Sequence, residues 1–307
     1  MYLIIISFIL AIATTALIHN TLPYQTISDA DRYIQSIANG TTNSLGVQLL
    51  APLIGETTND FNTVTNFLMI LAIGYLVYSS TNSWRITILA LLGFSVSLMT
   101  YFSLLAQAIV IIIGLFLWTK VETKSLSDHI IYLAAAAFGQ LTHKFGGPLV
   151  VLIFLVKRLE VEDSIFPVWS KRLAYLGYAI AAIILLSFFS SPERVTFFYY
   201  FLLPISLGPF DILYWLGLFS LIFWMLLKCE NNTRELLIVS ACFIGVAINY
   251  ALSPHPLEID AWRLLIFAEL VALIKIGQSD QNGDLLKWTP WFLIAMGIER
   301  LIIGLLV

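Results

Sequence analysis

The segment LLAQAIVIIIGLFLW, from Leu104 to Trp118, decides the fold class of this 307-residue chain. It is a continuous apolar run, and similar runs recur along most of the sequence. A transmembrane β-barrel would instead show segments of about ten residues in which apolar and polar side chains alternate. Long continuous runs are typical of helices that are buried in lipid. We therefore predict an all-α fold.

The composition of the chain agrees with burial in a membrane. Hydrophobic residues make up 59% of the sequence and charged residues 11%, and the mean hydropathy is +0.90. A soluble domain carries about 25% charged residues. We predict a single integral membrane domain over residues 1–307, without a soluble domain, located as a multi-pass protein in the plasma membrane of a prokaryote. Membrane lipids are expected partners, and nucleic acid is not.

About eleven membrane segments are predicted in a polytopic transmembrane helical bundle. They lie near residues 2–19, 64–80, 85–102, 104–119, 129–143, 147–157, 172–190, 208–227, 235–252, 263–277 and 288–306. The pair between 129 and 157 has two interpretations, either two spans or a re-entrant hairpin. Residues 20–63 form the first outer loop, in which we predict a short helix along the membrane.

The distribution of Lys and Arg gives the orientation, because cytoplasmic loops are enriched in these residues. With a cytoplasmic N-terminus, eleven of the sixteen cations fall on the inner side. These are Arg85, Lys120, Lys124, Lys157, Arg158, Lys171, Arg172, Lys228, Arg234, Lys275 and Lys287. The other five cations fall on the outer side, contrary to this rule, and are therefore candidates for functional residues. They are Arg32, Lys144, Arg194, Arg263 and Arg300.

Acids and bases from four separate loops are predicted to meet on the outer face. The first outer loop is long enough to build a site, and it contains Asp29, Asp31, Arg32 and Tyr33. Later outer loops contribute His143, Lys144, Arg194, His255 and Arg263. A carboxylate can take a proton from an acceptor hydroxyl, and basic side chains can hold a phosphate. An Asp-x-Asp pair can also hold a divalent cation.

Four elements of the sequence resemble motifs of the GT-C-type glycosyltransferases. The chain as a whole is similar to a short or diverged member of that family. Ser28-Asp29-Ala30-Asp31-Arg32-Tyr33 resembles their first-loop motif, including its place after the first membrane helix. The segment 48–54 resembles a second element, although Gln48 stands where a basic residue is expected. Thr142-His143-Lys144 resembles a basic motif on a later helix, and the segment 260–265 resembles a late-loop element.

The resemblance implies transfer of a sugar from a polyprenyl-phosphate donor to an acceptor on the extracytoplasmic face, with inversion. Asp29 or Asp31 would be the base that activates the acceptor, or a ligand of Mg²⁺ or Mn²⁺, and the sequence leaves this choice open. The remaining candidates would bind substrate. They are Arg32, Tyr33, His143, Lys144, Arg194, His255 and Arg263.

Two other functions are compatible with the sequence. A transporter or lipid flippase is favoured by interrupted segments near Gly146-Gly147-Pro148 and between Pro204 and Pro209, since such proteins use discontinuous helices. It would place its substrate site at the midplane, near Glu269 or Glu299. A non-catalytic subunit of a membrane complex is the third hypothesis, and it predicts no convergence of the outer loops.

Overall fold

The computed structural model describes residues 2–21, 35, 39, 44–50, 58–100, 105–162, 166–187, 208–252 and 263–279. These residues form eleven α-helices, and none of them lies in a β-strand. The helices are α1 (Tyr2–Thr21), α2 (Leu45–Leu50), α3 (Thr58–Thr81), α4 (Trp84–Thr100), α5 (Leu105–Lys120), α6 (Leu126–Thr142), α7 (Gly146–Glu162), α8 (Phe166–Ser187), α9 (Gly208–Leu227), α10 (Thr233–Leu252) and α11 (Arg263–Ser279).

Ten of the eleven predicted segments coincide with helices, which confirms the all-α fold. The eleventh, 288–306, lies outside the described residues. Between α1 and α3 the structure contains α2, a six-residue helix within the loop for which a short helix is predicted. Its placement along the membrane stays a prediction. The segment from 129 to 157 contains two helices, α6 and α7, of 17 residues each. At 1.5 Å per residue each is about 25 Å long.

The chain contains two compact units. Residues 1–154 and 289–306 belong to unit 1, and residues 155–288 with 307 belong to unit 2. The division falls within α7, whose first half belongs to unit 1. The prediction of one integral membrane domain over residues 1–307 stays a prediction.

Successive long helices of unit 1 alternate in direction from α1 through α3, α4 and α5 to α6. The amide of Asn66 in α3 donates to the Thr15 hydroxyl of α1 at 3.3 Å, while Gly74, further along α3, faces Leu3 near the start of α1. The buried Tyr132 hydroxyl of α6 donates to carbonyl oxygens near the end of α5. The chain therefore reverses its direction between each long helix and the next.

The two ends of unit 1 differ in their polar groups. One end, which we call the corner end, contains α2, the start of α5 and the connection between α6 and α7. The opposite end, the cation end, contains Arg85, Lys120 and Lys124, and the Lys120 ammonium donates to the Ser79 carbonyl at 3.4 Å. This separation agrees with the sequence pattern that assigns these three cations to one side.

Helix α6 begins at the cation end with a capping box. The Ser125 hydroxyl accepts a hydrogen bond from the Asp128 N–H at 3.1 Å, and the Asp128 carboxylate accepts one from the Ser125 N–H at 2.9 Å. The hydrogen bond from the Ser125 backbone is the main reason that the pKa of Asp128 lies below its ordinary value. The box satisfies N–H groups that the first helical turn leaves unpaired, which fixes where α6 starts.

In unit 2, α8 and α10 run parallel, and α9 and α11 run in the opposite direction. The Ser240 hydroxyl of α10 donates to the Ala174 carbonyl of α8 at 2.6 Å, and one turn later Gly177 faces Ile244. Tyr175 in α8 contacts Phe223 in α9, with ring centroids 5.6 Å apart. As a result, the start of α8, the end of α9, the start of α10 and the end of α11 share one end, the cation end of unit 2.

Large apolar side chains cover much of the described helix surface. Ile9 on α1, Leu133 on α6 and Ile183 on α8 are each more than half exposed. Soluble monomers rarely expose contiguous apolar patches of more than a few hundred Å². One described segment, Thr63–Thr81 in α3, is both long and apolar enough to cross a membrane, and Tyr2–Ala16, Trp84–Phe94 and Ala106–Lys120 are shorter apolar helical segments.

Candidate functional site

The connection between α6 and α7 makes a tight reversal at the corner end of unit 1. His143 adopts an extended conformation and ends α6, and its N–H donates to the Gly139 carbonyl at 2.8 Å. Gly146 then donates to the His143 carbonyl at 2.8 Å and begins α7. The chain therefore turns within three residues, which places Lys144 at the tip.

Helix α2 of the first loop is attached to this reversal. The Ser44 hydroxyl, just before α2, donates to the Thr142 carbonyl at 2.9 Å. The backbone of Gly46 lies so close to the Thr142 side chain that an added Cβ would stand 2.7 Å from its Cγ2 atom. That Cβ would also stand 3.0 Å from Ile109 of α5. The first loop is thus joined to α5 and α6 through direct contact.

An amide and an imidazole meet beneath the reversal. The side-chain nitrogen of Gln107, on α5, lies 3.1 Å from Nε2 of His143, and the N–H of Phe145 points at Nδ1 of the same ring at 3.4 Å. A neutral imidazole has one acceptor nitrogen and one donor nitrogen. If Nδ1 accepts from Phe145, Nε2 carries the proton and needs an acceptor.

The Gln107 oxygen can supply that acceptor if the amide is rotated by half a turn, because nitrogen and oxygen positions in an amide are assigned from the hydrogen-bond network. As placed, this oxygen is buried and has no hydrogen-bond partner. In the rotated amide, the Gln107 oxygen accepts a hydrogen bond from Nε2–H of His143. The amide nitrogen then no longer faces a ring nitrogen that already carries a proton. We therefore assign His143 as neutral, with its proton on Nε2.

Both ring nitrogens of His143 are thus engaged within the protein, whereas Lys144 is exposed. The Lys144 ammonium lies 5.6 Å from the centroid of the Phe145 ring, within the range of a cation–π contact. Thr142, adjacent to His143, is buried, and its hydroxyl has no hydrogen-bond partner among the described residues. We call Ser44, Gln107, Thr142, His143 and Lys144 the polar corner. It combines one exposed cation with a buried polar floor.

The assignment of His143 predicts a measurable tautomer. In ¹⁵N spectra of histidine-labelled protein, His143 is expected to show a protonated Nε2 and an unprotonated Nδ1. Gln107→Leu removes the acceptor and is expected to cost about 1 kcal/mol of unfolding free energy. Gln140→Leu, which changes an exposed amide of α6, is the matched control. A protonated Nδ1 in the wild type would contradict the assignment.

The structure describes the side chains of two predicted site residues, His143 and Lys144. Both lie next to Thr142, which contacts α2 and the residue before it. Arg263 begins α11 in unit 2, and its side chain is outside the described set. Six others lie outside the described residues: Asp29, Asp31, Arg32, Tyr33, Arg194 and His255. Glu269, the midplane acid of the transporter hypothesis, lies in α11 and is 5% exposed.

Sequence reasoning missed Gln107 and Ser44. Gln107 is the one side-chain amide in the run from Leu104 to Trp118, and a lone polar residue in such a run is a signal that could have identified it. Ser44 carries no comparable signal, because its partner is a backbone carbonyl 98 residues away.

Within the described segments, no three His, Cys, Asp or Glu side chains lie close enough together to hold a metal ion. The proposed cation ligands, Asp29 and Asp31, are outside those segments. Comparison of the chain with protein-family models, with curated proteins and with solved structures finds no match. Its function is therefore inferred from its own residues.

Proposed function

We propose that this chain is a polytopic membrane protein with a cytoplasmic N-terminus. Three features support the proposal. Apolar side chains face outward along α1, α6 and α8. Successive long helices of each unit alternate in direction. Within each unit, cations that the sequence pattern assigns to the cytoplasm gather at one end. Lys144, which the pattern assigns to the other side, lies at the opposite end of unit 1 from Lys120 and Lys124.

We propose further that it acts as a glycosyltransferase that moves a sugar from a polyprenyl-phosphate donor to an acceptor on the extracytoplasmic face. The observation that carries this proposal is the attachment of the first-loop helix α2 to Thr142, directly beside His143 and Lys144. Two of the three elements of unit 1 that resemble glycosyltransferase motifs are thereby neighbours, although Ser44 and Thr142 are 98 residues apart in sequence. They are the segment that begins at Gln48 in α2 and Thr142-His143-Lys144.

In the proposed reaction, Lys144 binds the phosphate of the donor. An aspartate of the first loop, Asp29 or Asp31, takes the proton of the acceptor hydroxyl, unless the pair instead holds Mg²⁺ or Mn²⁺. The acceptor oxygen forms a bond to the anomeric carbon, and the bond from that carbon to the phosphate oxygen breaks. Polyprenyl phosphate leaves, and the configuration at the anomeric carbon is inverted. The Lys144 ammonium stabilises the negative charge that develops on the leaving group.

His143 has a different role in this proposal from the direct substrate contact that the resemblance implies. With one ring nitrogen bonded to Gln107 and the other to the Phe145 N–H, it holds the reversal on which Lys144 is mounted. We propose that His143 and Gln107 position Lys144, whereas Lys144 itself contacts the donor.

Lipid retention in native mass spectrometry tests the donor site. Detergent-purified protein is expected to retain polyprenyl phosphate in preference to the neutral polyprenol. Lys144→Gln should weaken retention of the phosphate lipid by about tenfold, because a hydrogen bond to a charged group contributes about 1.5–3 kcal/mol. Lys124→Gln removes an exposed cation from the opposite end of unit 1 and should leave retention unchanged.

Asp31→Asn and Asp29→Asn then separate binding from chemistry. The variant that lacks the base should retain the phosphate lipid and lose sugar transfer by about a hundredfold or more. Equal retention of the phosphate lipid and the polyprenol, unaffected by Lys144→Gln, would overturn the glycosyltransferase proposal.

A further inference from the structure

Two pairs of tryptophan and cation lie at the cation end of unit 2. In α8, the Arg172 guanidinium lies 5.5 Å from the Trp169 ring centroid. In α9, the Lys228 ammonium lies 5.8 Å from the Trp224 ring centroid. Because α8 and α9 are antiparallel and meet at Tyr175 and Phe223, these pairs occupy adjacent positions on neighbouring helices.

The pairs are accessible. Trp169, Lys171 and Arg172 of α8 are exposed, as are Trp224 of α9 and Lys228 just beyond its end. The exposed acid nearest to Lys228 in sequence is Glu230, in the turn between α9 and α10. Among the described side chains of this surface, the exposed cations Lys171, Arg172 and Lys228 outnumber the exposed acid.

Below these cations, α8 continues as an apolar stripe. At 100° per residue, the stripe lies within about 40° on either side of one line along the helix. Its members are Trp169, Leu173, Leu176, Ile180 and Ile183. They are between 42% and 67% exposed. From the end of α9 inward, the surface passes from Lys228 to Trp224. Along α8, Trp169 comes first, Arg172 follows three residues later, and the branched aliphatic side chains continue from there.

We propose that this surface, Trp169, Arg172, Trp224 and Lys228 with the α8 stripe, binds an anionic phospholipid of the cytoplasmic leaflet. Arg172 and Lys228 hold the headgroup phosphate, the Trp169 and Trp224 rings lie beside it at the interface, and one acyl chain packs along Leu176 and Ile180. Tryptophan is enriched at membrane interfaces, and basic residues there attract anionic lipids. The change from charged to aliphatic side chains along α8, from Arg172 to Leu176 and Ile180, follows the change from headgroup to acyl chain in such a lipid.

This inference rests on the membrane location in the proposed function, but it does not depend on sugar transfer. The site lies in unit 2, and the polar corner lies in unit 1. Failure of the glycosyltransferase proposal and failure of the lipid-site proposal can therefore be distinguished. Retention of the protein in membrane pellets after alkaline extraction tests the membrane location alone.

The experiment compares phosphatidylglycerol with phosphatidylcholine of identical acyl chains, bound to the full-length protein in native mass spectrometry. Wild-type protein is expected to retain phosphatidylglycerol in preference. Arg172→Gln with Lys228→Gln should lower that preference by about tenfold or more and leave phosphatidylcholine binding unchanged. Arg172→Lys with Lys228→Arg, which keeps both charges, should preserve most of the preference.

Arg85→Gln with Lys124→Gln is the matched control, since it removes two exposed cations that the charge pattern assigns to the same side of the membrane. An unchanged preference in this control supports a specific site. An equal loss in both double variants would show general electrostatic attraction and overturn the proposal. Equal retention of the two lipids by wild-type protein would also overturn it, while leaving the membrane location intact.

Discussion

Gly146→Ala is expected to destabilise unit 1 by about 3 kcal/mol or more. A Cβ atom added at Gly146 would stand 2.1 Å from the Gly139 carbonyl oxygen and 2.2 Å from the carbonyl carbon. Both are backbone atoms of α6, so no flexible side chain can move aside, and the two helices must separate at the reversal. The gain in helix propensity from Gly to Ala, about 1 kcal/mol, is too small to offset this cost.

A series of glycine variants gives this prediction its controls. At Gly139 an added Cβ would meet Gly146 at 3.0 Å, so Gly139→Ala should cost less than Gly146→Ala. At Gly217, in α9, an added Cβ would meet nothing within 4 Å. Gly217→Ala should therefore be neutral or stabilising by up to about 1 kcal/mol.

The measurement is the unfolding temperature of the three variants in the same detergent. The expected order of stability is Gly217→Ala, then Gly139→Ala, then Gly146→Ala. Because Lys144 is held by this reversal, the proposed donor site implies that Gly146→Ala should also weaken retention of polyprenyl phosphate. An unfolding temperature for Gly146→Ala equal to that of wild type would contradict the close packing of α6 on α7.

Lys275→Met is expected to cost unit 2 about 2–3 kcal/mol, because it leaves a largely buried carboxylate without its nearest cation. The Lys275 ammonium on α11 lies 3.8 Å from the Glu235 carboxylate on α10. It also donates to the Asn231 carbonyl at 2.7 Å, in the turn between α9 and α10. One side chain therefore connects α11 to the start of α10 and to the turn before it.

A double-mutant cycle separates the charge interaction from the loss of the lysine stem. Glu235→Gln combined with Lys275→Met should be less destabilising than the sum of the single changes, by about 1–2 kcal/mol, as expected for residues in contact. Burial disfavours the charged form of Glu235, and the cations Lys275, Arg234 and Lys157 oppose that effect. Two of these cations still act on the carboxylate when Lys275 is lost.

Denaturant or thermal unfolding of the four proteins in one detergent gives the coupling energy. Lys171→Met, which changes an exposed lysine of α8, should alter stability by no more than about 0.5 kcal/mol. Strict additivity of the two single changes would mean that Glu235 and Lys275 do not interact, and it would contradict the ion pair.

The sequence by itself determined that the fold is helical and where most helices lie. Continuous apolar runs such as Leu104 to Trp118 predict helices because a helix satisfies its backbone hydrogen bonds within one segment, whatever surrounds it. The distribution of Lys and Arg between the two ends could also be predicted from the sequence, because helices that alternate in direction bring Arg85, Lys120 and Lys124 to the same end. The start of α6 was encoded locally as well, in a serine followed three residues later by Asp128.

Only the tertiary structure decided which residues meet. Gln107 and His143 are 36 residues apart, and Ser44 and Thr142 are 98 apart, so no local pattern could pair them. The contact of Gly139 with Gly146 depends on the angle at which two helices leave a three-residue turn. The pairing of Glu235 with Lys275 depends on which face of α11 is turned toward α10. Helix formation is a property of a segment and can be read along the chain, whereas these contacts depend on packing between segments, which the order of residues does not display.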